Sequence, residues 1–426
     1  MASFVKFKID LKFKTPFLHM RRFFLLAYIV AIPLISSGQQ TIGFTLPEAE
    51  KKVSLDFELF NNLIVIPVTI NKFLVVKFIV DTGSEAIILT EKAFGDMVGL
   101  QYVRSLNITG PGIIDSVEAF VATNVTLNLP GGVRGQQMSM LVLKEDYLQL
   151  KENLGDEIYG IIGYDLFSRF VVEVNYDSRK LILHDPKTYK PKKKKFSKII
   201  MDDTKPFIQA SVQQGDREQA VKLLVDTGAS HPLLLDVHNT DDLRVPSLTI
   251  EARLGQGIGG EIPGVIGRMG RCNFGVFKFD NVIVSIPERG VYSEAIKRGS
   301  RHGTLGGELL RRFNPVFDYR NKKLYLRKSK AHKDPFEFDM SGLTLGTTKS
   351  SQDTMVVRLV EPGTPAFEAG VKEGDKVLYV NGEDLTTSKL SEINGILRKK
   401  PGSRIRLVLW KDEEYVTRRF RLRRRI

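Results

Sequence analysis

Two stretches of this chain end an apolar run on the same triplet. Phe78–Glu85 reads FIVDTGSE, and Leu223–Ser230 reads LLVDTGAS. One Asp-Thr-Gly after a β-rich run is an ordinary turn, because Asp and Gly are turn residues. Two are a constraint on the fold, because each stands at the same place in a long internal repeat. Asp81 and Asp226 are 145 residues apart. Downstream, Gly160 matches Gly303, Phe170 matches Phe313, Tyr176 matches Tyr319 and Leu181 matches Leu324, all at an offset of 143.

Each copy opens on a strand-like run, Asn62–Ile70 and Pro206–Gln214, followed by a polar turn into the Asp-Thr-Gly run. Each closes on a hairpin-like stretch with a polar turn, VVEVNYDSRKLIL and PVFDYRNKKLYL. Short strands and glycine-rich turns predict two β-barrel-like units. The fold class expected is mainly β, in two lobes followed by a further module.

Lobes related by a two-fold axis would bring Asp81 and Asp226 together at that axis. Two carboxylates a few ångström apart cannot both ionise easily, so they share a proton. One member then takes a proton from a water held between them, and the other hydrogen-bonds a carbonyl oxygen on which charge develops. Gly83 and Gly228 would let backbone approach the carboxylates. Thr82 and Thr227 would hydrogen-bond across the axis and hold the pair.

The double Asp-Thr-Gly, a glycine-rich flap and an apolar-apolar-Gly segment before a short helix resemble the retropepsin and pepsin group of aspartic proteases. The resemblance covers roughly 57–330. It implies that Ile161-Ile162-Gly163 and Thr304-Leu305-Gly306 pass beneath the two Asp-Thr-Gly loops. It also implies a hydroxyl on the carboxylate after each triplet. Here the first copy has Ser84 and the second Ala229. With one hydroxyl instead of two, the pair is expected to be less acidic and to work at mildly acidic to neutral pH. Flap candidates are Gly110 and Gly112 in the first copy and Gly257 and Gly259 in the second. Retropepsin-like proteins use both flaps and pepsins one, and the sequence leaves that open.

After Lys330 the pattern changes. Pro362-Gly363, Pro365-Ala366, Ala369-Gly370, Gly374-Asp375 and Asn381-Gly382 resemble a PDZ domain in its circularly permuted bacterial form. Leu390, Ile393, Ile396 and Leu397 share one face of an expected helix. The resemblance implies that Ser341–Gly346 supplies a carboxylate-binding loop and a groove strand. Gly342, Leu343, Thr344 and Leu345 would then hold a peptide added as a β-strand, its terminal carboxylate on backbone N–H groups.

Domain boundaries follow: a signal peptide at 1–38, an N-terminal arm at 39–56, lobe 1 at 57–190, a basic linker at 191–198, lobe 2 at 199–330 and the PDZ domain at 336–426. Met20–Gln40 has two arginines, an apolar run and small residues at Ser36 and Gly38, the layout of a secretory signal with cleavage near Gly38. The initiator is Met1 or Met20. Export to a bacterial periplasm or cell surface is expected, with a membrane contact only if the segment stays uncleaved. The net charge of +14 concentrates at Pro186–Lys198 and Thr417–Ile426. Neither run carries the aromatic interleaving of a nucleic-acid site, so both are expected to be solvated and no nucleic-acid partner is expected. One cysteine and six scattered histidines suggest neither a disulfide nor a metal, and no cofactor is expected.

The expected function is an exported aspartic endopeptidase acting on polypeptides, its PDZ domain recognising peptides or C-termini. The alternative is a peptide-binding adaptor that no longer cuts; the intact triplets count against it. A third form would cut only once the PDZ domain is engaged.

Overall fold

The computed structural model describes residues 42–426 apart from 115, 192–194, 240–242, 293–300, 349–350, 386–387, 389 and 412. The expected signal segment and its cleavage point lie outside the described residues. The chain is mainly β, as its alternating apolar pattern requires.

Lobe 1 is a nine-stranded sheet and lobe 2 an eight-stranded one, among the described residues. In each, the strand carrying the aspartate is wedged beside a parallel neighbour. Leu74–Val80 pairs with Ile158–Ile162, and Arg217–Val225 with Gly303–Leu305. Phe78, Val80, Leu223 and Val225 are fully buried, so the core holds the last residue before each aspartate rigidly. A third sheet joins the lobes. Its six strands among the described residues draw equally on both halves, and Val171–Asn175 of lobe 1 pairs antiparallel with Phe313–Asp318 of lobe 2. Glu173 stands opposite Val316, its own equivalent at the repeat offset. The pseudo-two-fold axis therefore runs between these two residues.

Two boundary expectations are corrected here. The arm 39–56 is not separate from the lobes: Gly43–Thr45 pairs with the strand Val133–Leu143, and Lys52–Asp56 pairs with Lys180–His184. The basic linker is likewise a strand over Lys195–Lys198, paired with Lys323–Lys328. Both Lys52–Asp56 and Lys195–Lys198 are edges of the joining sheet, and Lys52 and Lys195 are 143 residues apart. They are repeat equivalents, so the repeat begins before the expected lobe boundary. Lysine is a residue that natural edge strands use to discourage further pairing, which reconciles the charge run with a strand.

Among the described residues the C-terminal module is a six-stranded sheet with short helices at Pro365–Glu368 and Leu390–Leu397. Asn381 and Gly382 both have positive φ, as the tight turn after Lys376–Val380 demands. Leu390, Ile393 and Leu397 are buried against the sheet.

The final basic run is solvated only in part: Arg419, Arg421, Arg423 and Arg424 are exposed as expected, but the last three arginines are also paired. Arg423 pairs with Glu368 at 2.8 Å, Arg424 with Glu337, and Arg425 with Asp339 and Glu361. Lobe 2 grips this region through Arg268. Its guanidinium donates to the carbonyls of Ile426 at 3.0 Å and Phe336 at 2.9 Å, and meets Glu337 at 3.2 Å. Arg312, buried to 1% exposure, lies over the Phe336 ring at 3.6 Å and donates to Pro335 O. The net positive charge is thus partly a fastening between lobe and module. Arg268→Ala should remove the shared donor of these three acceptors and lower stability by about 2–3 kcal/mol. Trypsin cleavage after Lys330 and Lys333 should accelerate. Unchanged cleavage rates there would contradict this fastening.

Candidate active site

Each aspartate is presented by a loop stitched to the segment beneath it. Asp81 N–H donates to Ile162 O at 2.9 Å and Asp226 N–H to Leu305 O at 3.0 Å. Tyr164 N–H and Gly307 N–H close the loops from below on Ser84 O and Ala229 O. A Cβ at Gly163 would stand 2.3 Å from Asp81 O, and one at Gly306 2.1 Å from His231 O. Only glycine fits beneath either loop, which places both apolar-apolar-Gly segments where the resemblance put them.

The two loops meet through their threonines. Thr82 N–H donates to Thr227 Oγ1 and Thr227 N–H to Thr82 Oγ1, both at 3.0 Å. Each hydroxyl then donates across the axis, Thr82 to Val225 O at 2.6 Å and Thr227 to Val80 O at 2.7 Å. Both side chains are buried. Each of these bonds contributes about 1 kcal/mol, and an orphaned partner would cost about 1–3. Repeat-equivalent contacts flank them: Asn62 donates to Ser230 O at 3.0 Å, while Lys205 meets Glu85 at 2.6 Å.

This brings the carboxyl groups of Asp81 and Asp226 to the axis as electrostatic neighbours. Gly83 N–H donates to Asp81 Oδ1 at 2.6 Å, and Gly228 N–H to Asp226 Oδ1 at 2.8 Å. Burial, and then the neighbouring Asp226, hold the Asp81 carboxyl well above the usual carboxylate range. Gly83 and Gly228 also face the opposite carboxylates. A Cβ at Gly83 would lie 3.0 Å from Asp226 Oδ2, and one at Gly228 2.3 Å from Asp81 Cγ.

The hydroxyl expected on the first carboxylate is elsewhere. Ser84 Oγ donates to Ala86 O at 2.8 Å, and a hydroxyl has one proton to give. The Ser84–Ala229 difference therefore has no bearing on the acidity of the pair, and the raised Asp81 has its cause in burial and Asp226.

Both flaps close over the site and touch. Ile114 N–H donates to Gly259 O at 2.8 Å, and Gly259 N–H to Pro111 O at 2.9 Å. A Cβ at Gly112 would stand 2.1 Å from Gly259 C, and one at Gly257 2.2 Å from Pro111 O. Gly110 faces Ile258. All four flap glycines stand at this junction, so the arrangement has two flaps. Below them lies a cleft of about 1800 Å³, lined by Asp81, Asp226, both flaps and residues of the C-terminal module.

Three cleft residues escape sequence reasoning. His231, five positions after Asp226, is buried, and desolvation pushes its imidazole down to about 4. Tyr292 is pushed up to about 12, chiefly by burial, with both aspartates adding to it. Arg301 lies 5.7 Å from the centre of that ring. His231 could have been noticed as the titratable group nearest the second triplet. Tyr292 and Arg301 flank a stretch between matched parts of the repeat and carry no signal.

Residues 66–166 and 208–309 each match the family profile of the aspartyl proteases, and 356–411 match that of PDZ domains. This is a two-lobed aspartyl-protease chain with a C-terminal PDZ domain. The two matched protease segments fall one on each lobe and contain Asp81 and Asp226. Over 62 residues the chain is 36% identical to Rho GTPase-activating protein 21 of Mus musculus, a stretch that covers 15% of this chain and 3% of that protein. That likeness is local.

The PDZ loop departs from expectation. All three of its N–H groups are engaged from within the chain: Ser341 N–H and Gly342 N–H donate to Asp339, and Leu343 N–H to Ser341 Oγ. Leu343, Thr344 and Leu345 do line the cleft and Gly342 does not, but the loop is not waiting for a carboxylate.

The glycines generate an asymmetric expectation. Gly228→Ala drives a methyl into Asp81, whereas Gly83→Ala only crowds Asp226. Gly228→Ala should cost about 2–3 kcal/mol in chemical denaturation and Gly83→Ala about half as much. Equal losses would contradict the geometry.

Proposed function

We propose that this chain is an aspartic endopeptidase in which Asp81 and Asp226 activate a water for attack on a peptide carbonyl. The observation that carries the reading is the meeting of two carboxyl groups at a pseudo-two-fold axis, each held by the N–H of its own loop glycine. Two carboxyl groups set against each other favour one proton between them. Asp81, deeply desolvated, holds that proton and gives Asp226 its partner. Asp226 takes a proton from the water as the oxygen attacks. Asp81 donates to the carbonyl oxygen, which gathers negative charge in the tetrahedral intermediate. The proton gained by Asp226 then passes to the leaving amine, so the pair returns to one proton. Flap closure keeps bulk water from the intermediate, and flap opening admits the polypeptide.

Export supplies the compartment in this reading, carried by the signal-like segment Met20–Gln40, and polypeptides are the substrates. A peptide-binding adaptor that does not cut would have no need to keep both carboxylates in a proton-sharing contact, and that contact favours the enzyme.

The pH dependence follows from the raised Asp81. Below the ordinary carboxylate range, folded and unfolded forms are both protonated. As pH rises through it, the unfolded aspartate ionises while the folded one keeps its proton, so stability falls until the folded group ionises too. Asp81→Asn should therefore raise the melting temperature at pH 7 by a few degrees and abolish cleavage. Wild-type cleavage of a peptide library should peak at mildly acidic to neutral pH and stop with a statine-type inhibitor, whose hydroxyl takes the place of the water. An optimum near pH 2–3, or an Asp81→Asn protein less stable than wild type at pH 7, would contradict this.

A further inference from the structure

The PDZ groove and the flaps share one small element, the helix Leu150–Leu154 of lobe 1. On one side it belongs to a buried cluster. Leu148, Leu150 and Leu154 pack there, and Ile258 from the lobe 2 flap packs against the same cluster. Just ahead of the helix, Tyr147 O accepts from Gln256 Nε2 of the same flap at 2.7 Å. On the other side the helix approaches the PDZ strand Leu343–Thr348 to within 8 Å, backbone to backbone. Among the described residues that strand pairs only with Ser351–Val360, so it is an edge of its sheet. An added peptide strand needs a spacing of about 4.8 Å from its partner, and the gap to the helix cannot hold a third backbone. Covering an edge with a helix is how proteins keep it from pairing.

The other end of the groove is filled as well. Asp339 Oδ2 accepts from Gly342 N–H at 2.6 Å and Oδ1 from Ser341 N–H at 3.2 Å, while Ser341 Oγ, itself donating to Asp339, occupies Leu343 N–H. Arg425 stands 3.5 Å from the same carboxylate. A side-chain carboxylate thus sits on the loop amides and beside the cation that a ligand carboxylate would use. Nearby, Leu343, Leu390 and Leu397 offer an apolar wall to the ligand's last side chain.

We propose that the PDZ groove is self-occupied, by Asp339 at its loop and by Leu150–Leu154 along its edge. An extended peptide with an apolar C-terminal residue and a free carboxylate displaces both. Moving the helix breaks the Tyr147–Gln256 contact and unpacks Ile258, which releases the lobe 2 flap from above Asp81 and Asp226. The helix is then an element that both the peptide and the flap bias, as coupling requires. The regulatory consequence rests on the peptidase reading; the displacement does not.

The test uses the full chain with Asp226→Asn, so that nothing is cut, and fluorescein-labelled octapeptides ending in Leu or Phe, each as free acid and as amide. Fluorescence anisotropy gives the affinity. Asp339→Ala should tighten binding of the acids by about tenfold and leave the amides unchanged. Asp339→Asn, which keeps an acceptor for the loop, should gain less and guards against a folding defect. At saturating acid peptide, hydrogen exchange should rise in 147–154 and 253–260, and the amides should produce no such rise. Equal affinities for wild type and Asp339→Ala, equal gains for acids and amides, or unaltered exchange in either segment would overturn the proposal. If the binding and exchange results hold but the protein without Asp226→Asn cuts no peptide with or without the acids, the peptidase reading fails and the self-occupied groove stands.

Discussion

Two carboxylates that share one proton in a desolvated site repel each other as soon as that proton is lost. Everything around Asp81 and Asp226 is organised against this. The threonine exchange between Thr82 and Thr227 fixes the loops to each other, and each hydroxyl reaches into the opposite lobe at Val225 or Val80. The strands behind the loops end on fully buried residues, Phe78 and Val80 in one and Leu223 and Val225 in the other, and cannot yield there. The glycines Gly83 and Gly228 allow the close approach, and Gly163 and Gly306 allow a backbone to run directly beneath. Two carboxyl groups set against each other in this way are costly to fold and pointless in a passive scaffold, which is why the peptidase reading is proposed over the adaptor.

The joining sheet explains how two lobes of separate sequence present these groups with such symmetry. Glu173 opposite Val316 puts the axis through a hydrogen-bonded strand pair, far more rigid than a loop linkage. The edges Lys52–Asp56 and Lys195–Lys198 complete it at matching positions. The PDZ domain is clamped to the outside of lobe 2 by Arg268 and Arg312, so its groove faces the cleft as part of one wall.

Much of this was legible in the sequence, and the reason is periodicity. A repeat of 143 residues with an acid at the end of each apolar strand leaves few ways to fold. The apolar alternation, the Asn381-Gly382 turn and the helix over Leu390–Leu397 were legible for the same cause: local patterns with local physics. What the sequence concealed depends on partners distant in the chain. Lys195–Lys198 looks like a solvated linker until Lys323–Lys328 lies beside it. Ser84 looks like a ligand of Asp81 until the nearby carbonyl of Ala86 takes its proton. His231, Tyr292 and Arg301 become cleft residues only through tertiary placement. Asp339 gives no sign in the sequence that it will fill the loop next to it, although it stands two residues before Ser341.

The central claim is that Asp226 exchanges a proton with the attacking water while Asp81 holds the other. It is tested most directly by mass-spectrometric digestion of one peptide library with wild type and with Asp226→Asn, purified identically and matched in melting profile. The account predicts defined cleavage products from wild type and a loss of at least about 10³-fold in Asp226→Asn, the scale expected when a proton-transfer group is removed. Equal product yields from the two proteins would contradict it.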